Sequence, residues 1–70
     1  MTLKEFLDAR GIAFDAAALL AGVDTSTVYR ITNGEVHPRP ETVIRLARAC
    51  GTSVTRMNQM IKASRAQAAA

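Results

Sequence analysis

The 70-residue chain has no tryptophan, one tyrosine, two phenylalanines, one cysteine and one histidine. So few aromatics leave the core to Leu, Ile, Val and Met, with alanines allowing close helix contacts. The single Cys50 excludes an intramolecular disulfide framework and a cysteine-based zinc site, and a reduced intracellular setting is the simpler inference. The lone His37 has no second histidine or close carboxylate at ligand spacing, which argues against a metal site. No apolar run approaches the roughly 18–20 residues of a membrane span. The opening M-T-L-K-E-F lacks the hydrophobic block of a signal peptide. There is no carboxylate pair in a pocket, no Cys/His dyad at plausible spacing and no Gly-rich phosphate loop, so the chain reads as a non-enzyme without a cofactor. Internal repeats are absent. The length holds one domain at most, with a marginal core supplying about 3–5 kcal/mol.

What is present begins with charge: a formal net +3 and a sequence pI near 9.8. That mild basicity fits an anionic partner such as nucleic acid. The chain is organised around Ala17 to Gly34, A-A-L-L-A-G-V-D-T-S-T-V-Y-R-I-T-N-G. This reads as a short helix, a tight turn and a second short helix that stops at glycine. Ala17, Ala18 and Ala21 give the first of the pair a small-residue face, so the second can cross it closely and steeply. Gly22 ends the first helix, where a left-handed residue is cheap only for glycine. Val23 is the apolar plug of the turn, and Asp24 stands at the N-cap, its carboxylate placed to accept from the N–H of Ser26 or Thr27. A steep helix pair joined by a glycine-containing turn is the helix-turn-helix unit, whose second helix enters the DNA major groove.

The second helix of the pair has two unlike sides. Val28 and Ile31 share one and face the core. Thr25, Ser26, Tyr29, Arg30 and Asn33 form the other, each with a hydrogen-bonding head and none acidic. A polar surface helix is the plain reading of such a stripe. A solvated face usually mixes Glu with Lys, however, and hydroxyls, an amide, a phenol and an arginine suit base edges and phosphates better.

Elsewhere the chain spells three more helices. Thr2-x-x-Glu5 is a capping box for a helix over Thr2 to Arg10 that buries Leu3, Phe6 and Leu7, ends at Gly11 and turns back through Ile12. The organising pair's first helix starts near Phe14 and Asp15 behind a poor N-cap, Ala13. With its alanines inward, Leu19 or Leu20 is left partly exposed, either covering a neighbouring helix or marking a contact with another protein. Glu35 to Pro40 is an irregular connection held extended by Pro38 and Pro40; its His37 and Arg39 lie near the backbone of any DNA beside the recognition helix. A fourth helix spans about Pro40 to Cys50, with Val43, Ile44, Leu46, Ala47 and Cys50 apolar, and Arg45 and Arg48 on an outer face. Ser53 caps a fifth, Val54 to about Ala63, whose Val54, Met57, Met60 and Ile61 share a stripe. The domain thus spans 1–63, and the alanine-rich tail 64–70, with good helix propensity but nothing large to bury, is expected either to fray or to continue into a longer chain.

Ala18, Gly22, Val23, Ser26 to Val28, Ile31, Asn33-Gly34, Pro40, Leu46-Ala47, Gly51 and Ser53 stand at a familiar spacing. On these residues the chain, from about Leu3 to Ile61, resembles the lambda-repressor-like helix-turn-helix family of phage repressors, Cro-type proteins and their bacterial relatives. The resemblance implies an all-α, compact five-helix fold with helices two and three as the DNA-binding pair. It implies that Thr25, Ser26, Tyr29 and Arg30 reach base edges, and that Thr27 and Asn33 hold phosphates. Two positions depart from the family. Phe14 stands where many members place a phosphate-gripping glutamine. Thr32 stands where many place a glutamate paired with an arginine of helix one, which leaves Arg10 free to approach DNA or Asp15.

The function that follows is sequence-specific double-stranded DNA binding by a transcriptional regulator, a phage or bacterial repressor of the Cro/C1 type in the cytoplasm or nucleoid, occupying an operator. The rival reading is an antitoxin-like or adaptor domain that holds a protein partner with Leu19, Leu20 and the C-terminal helix. The thin apolar stripe after Ile61 suits a weak homodimer, or a monomer that pairs only on DNA, as well as a stable dimer.

Overall fold

A computed structural model describes all 70 residues, Met1–Ala70. Five helices follow one another: α1 (Leu3–Arg10), α2 (Phe14–Ala21), α3 (Thr25–Thr32), α4 (Pro40–Ala49) and α5 (Val54–Ala69). There is no strand, and no helix is long and apolar enough to cross a membrane. The fold is all-α with five helices, in agreement with the sequence expectation.

Local chemistry sets most of the boundaries. Thr2 Oγ1 accepts from the Glu5 N–H at 3.2 Å, and the Thr2 N–H donates to Glu5 Oε1 at 2.8 Å, closing the capping box of α1. Pro40 opens α4, where a missing N–H leaves no bond unmade. Ser53 Oγ accepts from the Arg56 N–H at 3.1 Å at the start of α5. Gly22 closes α2 in the left-handed region at φ +72°, and the Val23 N–H reaches back to the Ala18 carbonyl at 3.0 Å. Asp24 occupies the N-cap of α3 as expected, but its carboxylate makes no capping hydrogen bond. Only its carbonyl serves the helix, accepting from the N–H groups of Thr27 and Val28.

The core gathers Leu3, Phe6 and Leu7 of α1, the alanine face of α2, Val28 and Ile31 of α3, Val43, Leu46 and Ala47 of α4, and Met57, Met60 and Ile61 of α5. Cys50 is buried with them, and burial pushes its thiol above the ordinary value while the nearby Arg10 charge pulls it partly back. Ile12 and Val23 pack half-buried against this cluster. Several apolar residues fall outside it. Ile44 and Val54, expected in the apolar stripes, are 39 % and 41 % exposed, and Leu19 and Leu20 are 82 % and 69 % exposed. Neither leucine covers a neighbouring helix, because the alanines beside them already fill the inner face of α2. Arg45, on the outer face of α4, is held at 2.7 Å by Glu41 one turn earlier.

The largest departure lies at the C-terminus. α5 does not fray after Ala63 but continues to Ala69. Ser64 is buried; its Oγ accepts from the Leu3 N–H at 3.0 Å and donates to the Met60 carbonyl at 2.9 Å. The hydroxyl thereby satisfies one of the donors left open at the start of α1. One turn further, α5 lies against the turn that ends α3. A Cβ on Gly34 would stand 2.6 Å from Ala68 Cβ and 2.9 Å from the Ser64 carbonyl oxygen. This contact is made by small side chains, so a search for large apolar residues in the tail does not find it.

Two predictions follow from these contacts. Gly34→Ala requires a left-handed alanine at φ +73° and a clash with α5, whereas Gly22→Ala places its methyl in open space. The left-handed conformation alone costs about 1–2 kcal/mol. Chemical denaturation is therefore expected to show Gly34→Ala as the more destabilised variant; equal midpoints would mean that α5 does not press on this turn. The second concerns Glu5, whose carboxyl is held below the ordinary range, first by the backbone hydrogen bond from Thr2 and then by the side-chain one. Because the folded value is the lower, its contribution is complete above the unfolded value of about 4.3 and fades as pH falls through the folded one. Glu5→Gln should flatten the acid limb of the stability curve below about pH 4.3; an unchanged limb would remove Glu5 from the cap.

Candidate nucleic-acid interface

The alanine face of α2 is the floor on which α3 rests. Ala17 and Ala18 are 1 % exposed and Ala21 is 5 %, so α2 turns only methyl groups toward the core it shares with α3 and α4. Val28 and Ile31 are fully buried against this floor and the rest of the core. Their anchoring turns the opposite side of α3 outward. Ser26, Tyr29, Arg30 and Asn33 are exposed, and Thr25 and Thr27 are half-buried at the helix start. No member of the row lies under another helix.

Two side chains of the row are positioned by neighbours. The Tyr29 ring meets the Phe14 ring edge to face, with centroids 4.8 Å apart and planes at 71°. Such a pair adds about 0.5–1.5 kcal/mol beyond its buried area. The first residue of α2 therefore holds the middle of α3, and the phenol still projects outward with half its surface exposed. Asn33 donates from Nδ2 to Glu35 Oε2 at 3.3 Å across the turn. Thr32 Oγ1 donates back to the Tyr29 carbonyl at 2.9 Å. Arg30 is engaged in neither of the molecule's two ion pairs, Lys4–Asp8 and Glu41–Arg45, and is free to take an outside partner.

Of the residues expected at phosphates, Thr27 stands apart in the first turn of α3. Asn33, His37 and Arg39 follow one another along the C-terminal end of α3 and the connection to α4. His37 is fastened there, with Nδ1 3.0 Å from an Arg65 guanidinium nitrogen of α5. Arg10 does not join this row. Its guanidinium lies over the Phe6 ring at 4.7 Å, with Arg56 over the same ring at 5.5 Å. It has no ion pair with Asp15, and it is not the residue of α1 that faces Thr32. A cleft beside Thr32 and Asn33 is lined instead by Thr2, Lys4 and Glu5 of the first turn. Three contributors were not anticipated from the residues alone: the Phe14 ring as a clamp on Tyr29, the Glu35 carboxylate beside Asn33, and Arg65. Only Phe14 left a signal, as an aromatic where relatives carry an amide.

A family model described as a helix-turn-helix domain matches residues 1–60. The chain belongs to the Cro/C1/XRE-type helix-turn-helix domains. No curated protein and no solved structure matches it. Membership makes this a DNA-binding type of domain, with α2 and α3 as the motif's two helices. The exposed Glu35 carboxylate beside Asn33 would repel any phosphate that approached there. Glu35→Gln should therefore tighten binding to duplex DNA by about two- to fivefold, the order of one exposed charge interaction. Fluorescence anisotropy at low salt checks this; weaker binding would mean that the carboxylate is needed to orient Asn33.

Proposed function

We propose that this helix-turn-helix domain is a sequence-specific, double-stranded-DNA-binding transcriptional regulator, a phage or bacterial repressor that acts by occupying an operator. The observation that carries the reading is the opposition of faces on α3: Val28 and Ile31 sealed inside, Ser26, Tyr29 and Arg30 outside with Thr25 at the rim. In this reading α3 lies in the major groove. Arg30 donates in pairs to guanine O6 and N7. The hydroxyls of Thr25 and Ser26 exchange hydrogen bonds with base edges, and Tyr29, steadied by Phe14, reaches a neighbouring base. Thr27 at the start of α3, Asn33 at its end, and His37 and Arg39 beyond it hold phosphates and set the register of the helix in the groove.

Repression requires occupancy and no chemistry. Pairing on a two-fold operator follows the general geometry of such domains, whose half-sites lie about one helical turn apart. The half-exposed Ile44 and Val54, with Pro38 and Pro40 at the same shallow cleft, offer a second copy a small apolar surface. A surface of that size suits a weak dimer that forms on DNA.

The test begins by selecting sites from a random duplex pool, then compares Arg30→Ala on the selected site and on random DNA. A bidentate contact to guanine carries about 1–3 kcal/mol of discrimination, roughly 5- to 150-fold. The loss should fall almost wholly on the selected site, and equal losses on both duplexes would make Arg30 a phosphate contact. A second reading has one observation in its favour. Leu19 and Leu20 stand side by side on α2, both largely exposed, as an adaptor or antitoxin-like domain would need to hold a protein partner. Failure to bind any duplex at low salt would favour it.

A further inference from the structure

The charge of this chain is divided along its length. All six acids fall within the first 41 residues, together with four of the nine Lys and Arg; the last 29 residues carry five cations and no acid. The part that contains α2 and α3 is therefore the acidic part. Along the proposed reading edge Arg30 is the only cation, and Asp24 and Glu35 stand at its two ends. Duplex DNA carries a negative charge about every 1.7 Å, and affinity comes largely from cations set against phosphates. The recognition half supplies few of them.

The five cations of the last 29 residues are not equally placed. Arg45 is held by Glu41. Arg56 lies over the Phe6 ring beside Arg10. Arg48 is on the exposed side of α4. Only Lys62 and Arg65 adjoin the end of α3. They are one turn apart on α5 and line a shallow groove with Gly34 over a floor of alanines. The approach is close because Gly34 has no side chain: a Cβ there would lie 3.1 Å from Arg65 Cα. Arg65 also reaches the α3–α4 connection, where its guanidinium stands 3.0 Å from His37 Nδ1. A guanidinium only donates, so Nδ1 accepts and the ring proton sits on Nε2, which is left as a donor on an exposed side chain.

We infer that the last turns of α5 are part of the DNA-binding surface: Lys62 and Arg65 take the phosphates that flank the end of α3, and Arg65 orients His37 to donate to the same backbone. The inference rests on the reading that α3 docks in duplex DNA. It gives the 64–69 segment a second task besides closing the fold through Ser64. The contacts are to phosphate alone, so they add affinity without sequence preference.

The experiment measures binding of the full chain to a labelled 20-base-pair duplex of random sequence by anisotropy, between 50 and 200 mM NaCl. Each phosphate contact contributes about 0.9 to the slope of log K against log salt. Arg65→Gln is expected to reduce the slope by about 0.9, so that its deficit against wild type narrows about threefold across this range. Lys62→Gln with Arg65→Gln should reduce it by about 1.8. Arg48→Gln, on the outer side of α4, should leave it unchanged. Arg65→Lys keeps the charge and should keep the slope, which separates a phosphate contact from a purely structural partner of His37. A thermal melt by circular dichroism accompanies each variant, and Lys62→Gln alone, expected to reduce the slope by about 0.9, carries the test if Arg65→Gln does not fold. A wild-type slope in Arg65→Gln, an equal fall in Arg48→Gln, or a lost slope in Arg65→Lys would each overturn the inference and leave the proposed function standing. Absence of any binding by the wild-type chain, to this duplex and to the selected site alike, would remove both.

Discussion

Three alanine side chains decide how near the two central helices of this molecule can come. Ala17, Ala18 and Ala21 are all but fully buried, and larger residues there would lift α3 off its support. Close approach lets Val28 and Ile31 reach the core from a helix of only eight residues. A helix that short is marginal alone, and its stability comes from what it buries. Once those two side chains are inside, the orientation of every other residue on α3 follows from the helical repeat. The outward row of hydroxyls, phenol, guanidinium and amide is thus a consequence of packing on the other side.

The same device recurs at the far end of α3. Gly34 admits the backbone of α5, and Ser64 and Ala68 are small enough to come close. Ser64 also satisfies the Leu3 N–H, so one residue joins the start of the chain to its last helix. In a chain of 70 residues with three aromatics, such close backbone contacts take over work that large side chains perform in bigger cores. They also bring α5, the helix richest in unopposed cations, to the edge of the recognition helix. Packing and electrostatics are therefore coupled through Gly34: the contact that closes the fold is the one that sets Arg65 beside His37.

Much of the fold was legible because its signals are local. The capping box of Thr2 and Glu5, Pro40 at the head of α4, Ser53 at the head of α5 and the glycine stops each act within a few residues of the boundary they set. The buried pair of α3 was legible for the same reason, since a helical period needs only the spacing of Val28 and Ile31. Asp24 shows the limit of such reasoning: the position was right, yet its carboxylate left the cap to the backbone carbonyl alone. The candidate site was legible as a row of residues and not as a set of contacts. Phe14 and Tyr29 are fifteen positions apart, and nothing in either residue announces that α2 and α3 bring their rings to 4.8 Å. Arg10 was legible as a cation without its family partner, but not as one lying over the Phe6 ring.

By itself, then, the order of residues determined where the helices begin and where the first four end, which side of α3 is apolar, and which family the chain resembles. These depend on backbone capping and periodicity, which act over one or two turns. Only the tertiary structure decided the length of α5, that Leu19 and Leu20 are both exposed with neither covering a neighbour, the clamp on Tyr29 and the partner of His37. Those depend on whether distant small residues let two backbones touch, and an alanine or a glycine carries no mark of what will come to rest against it.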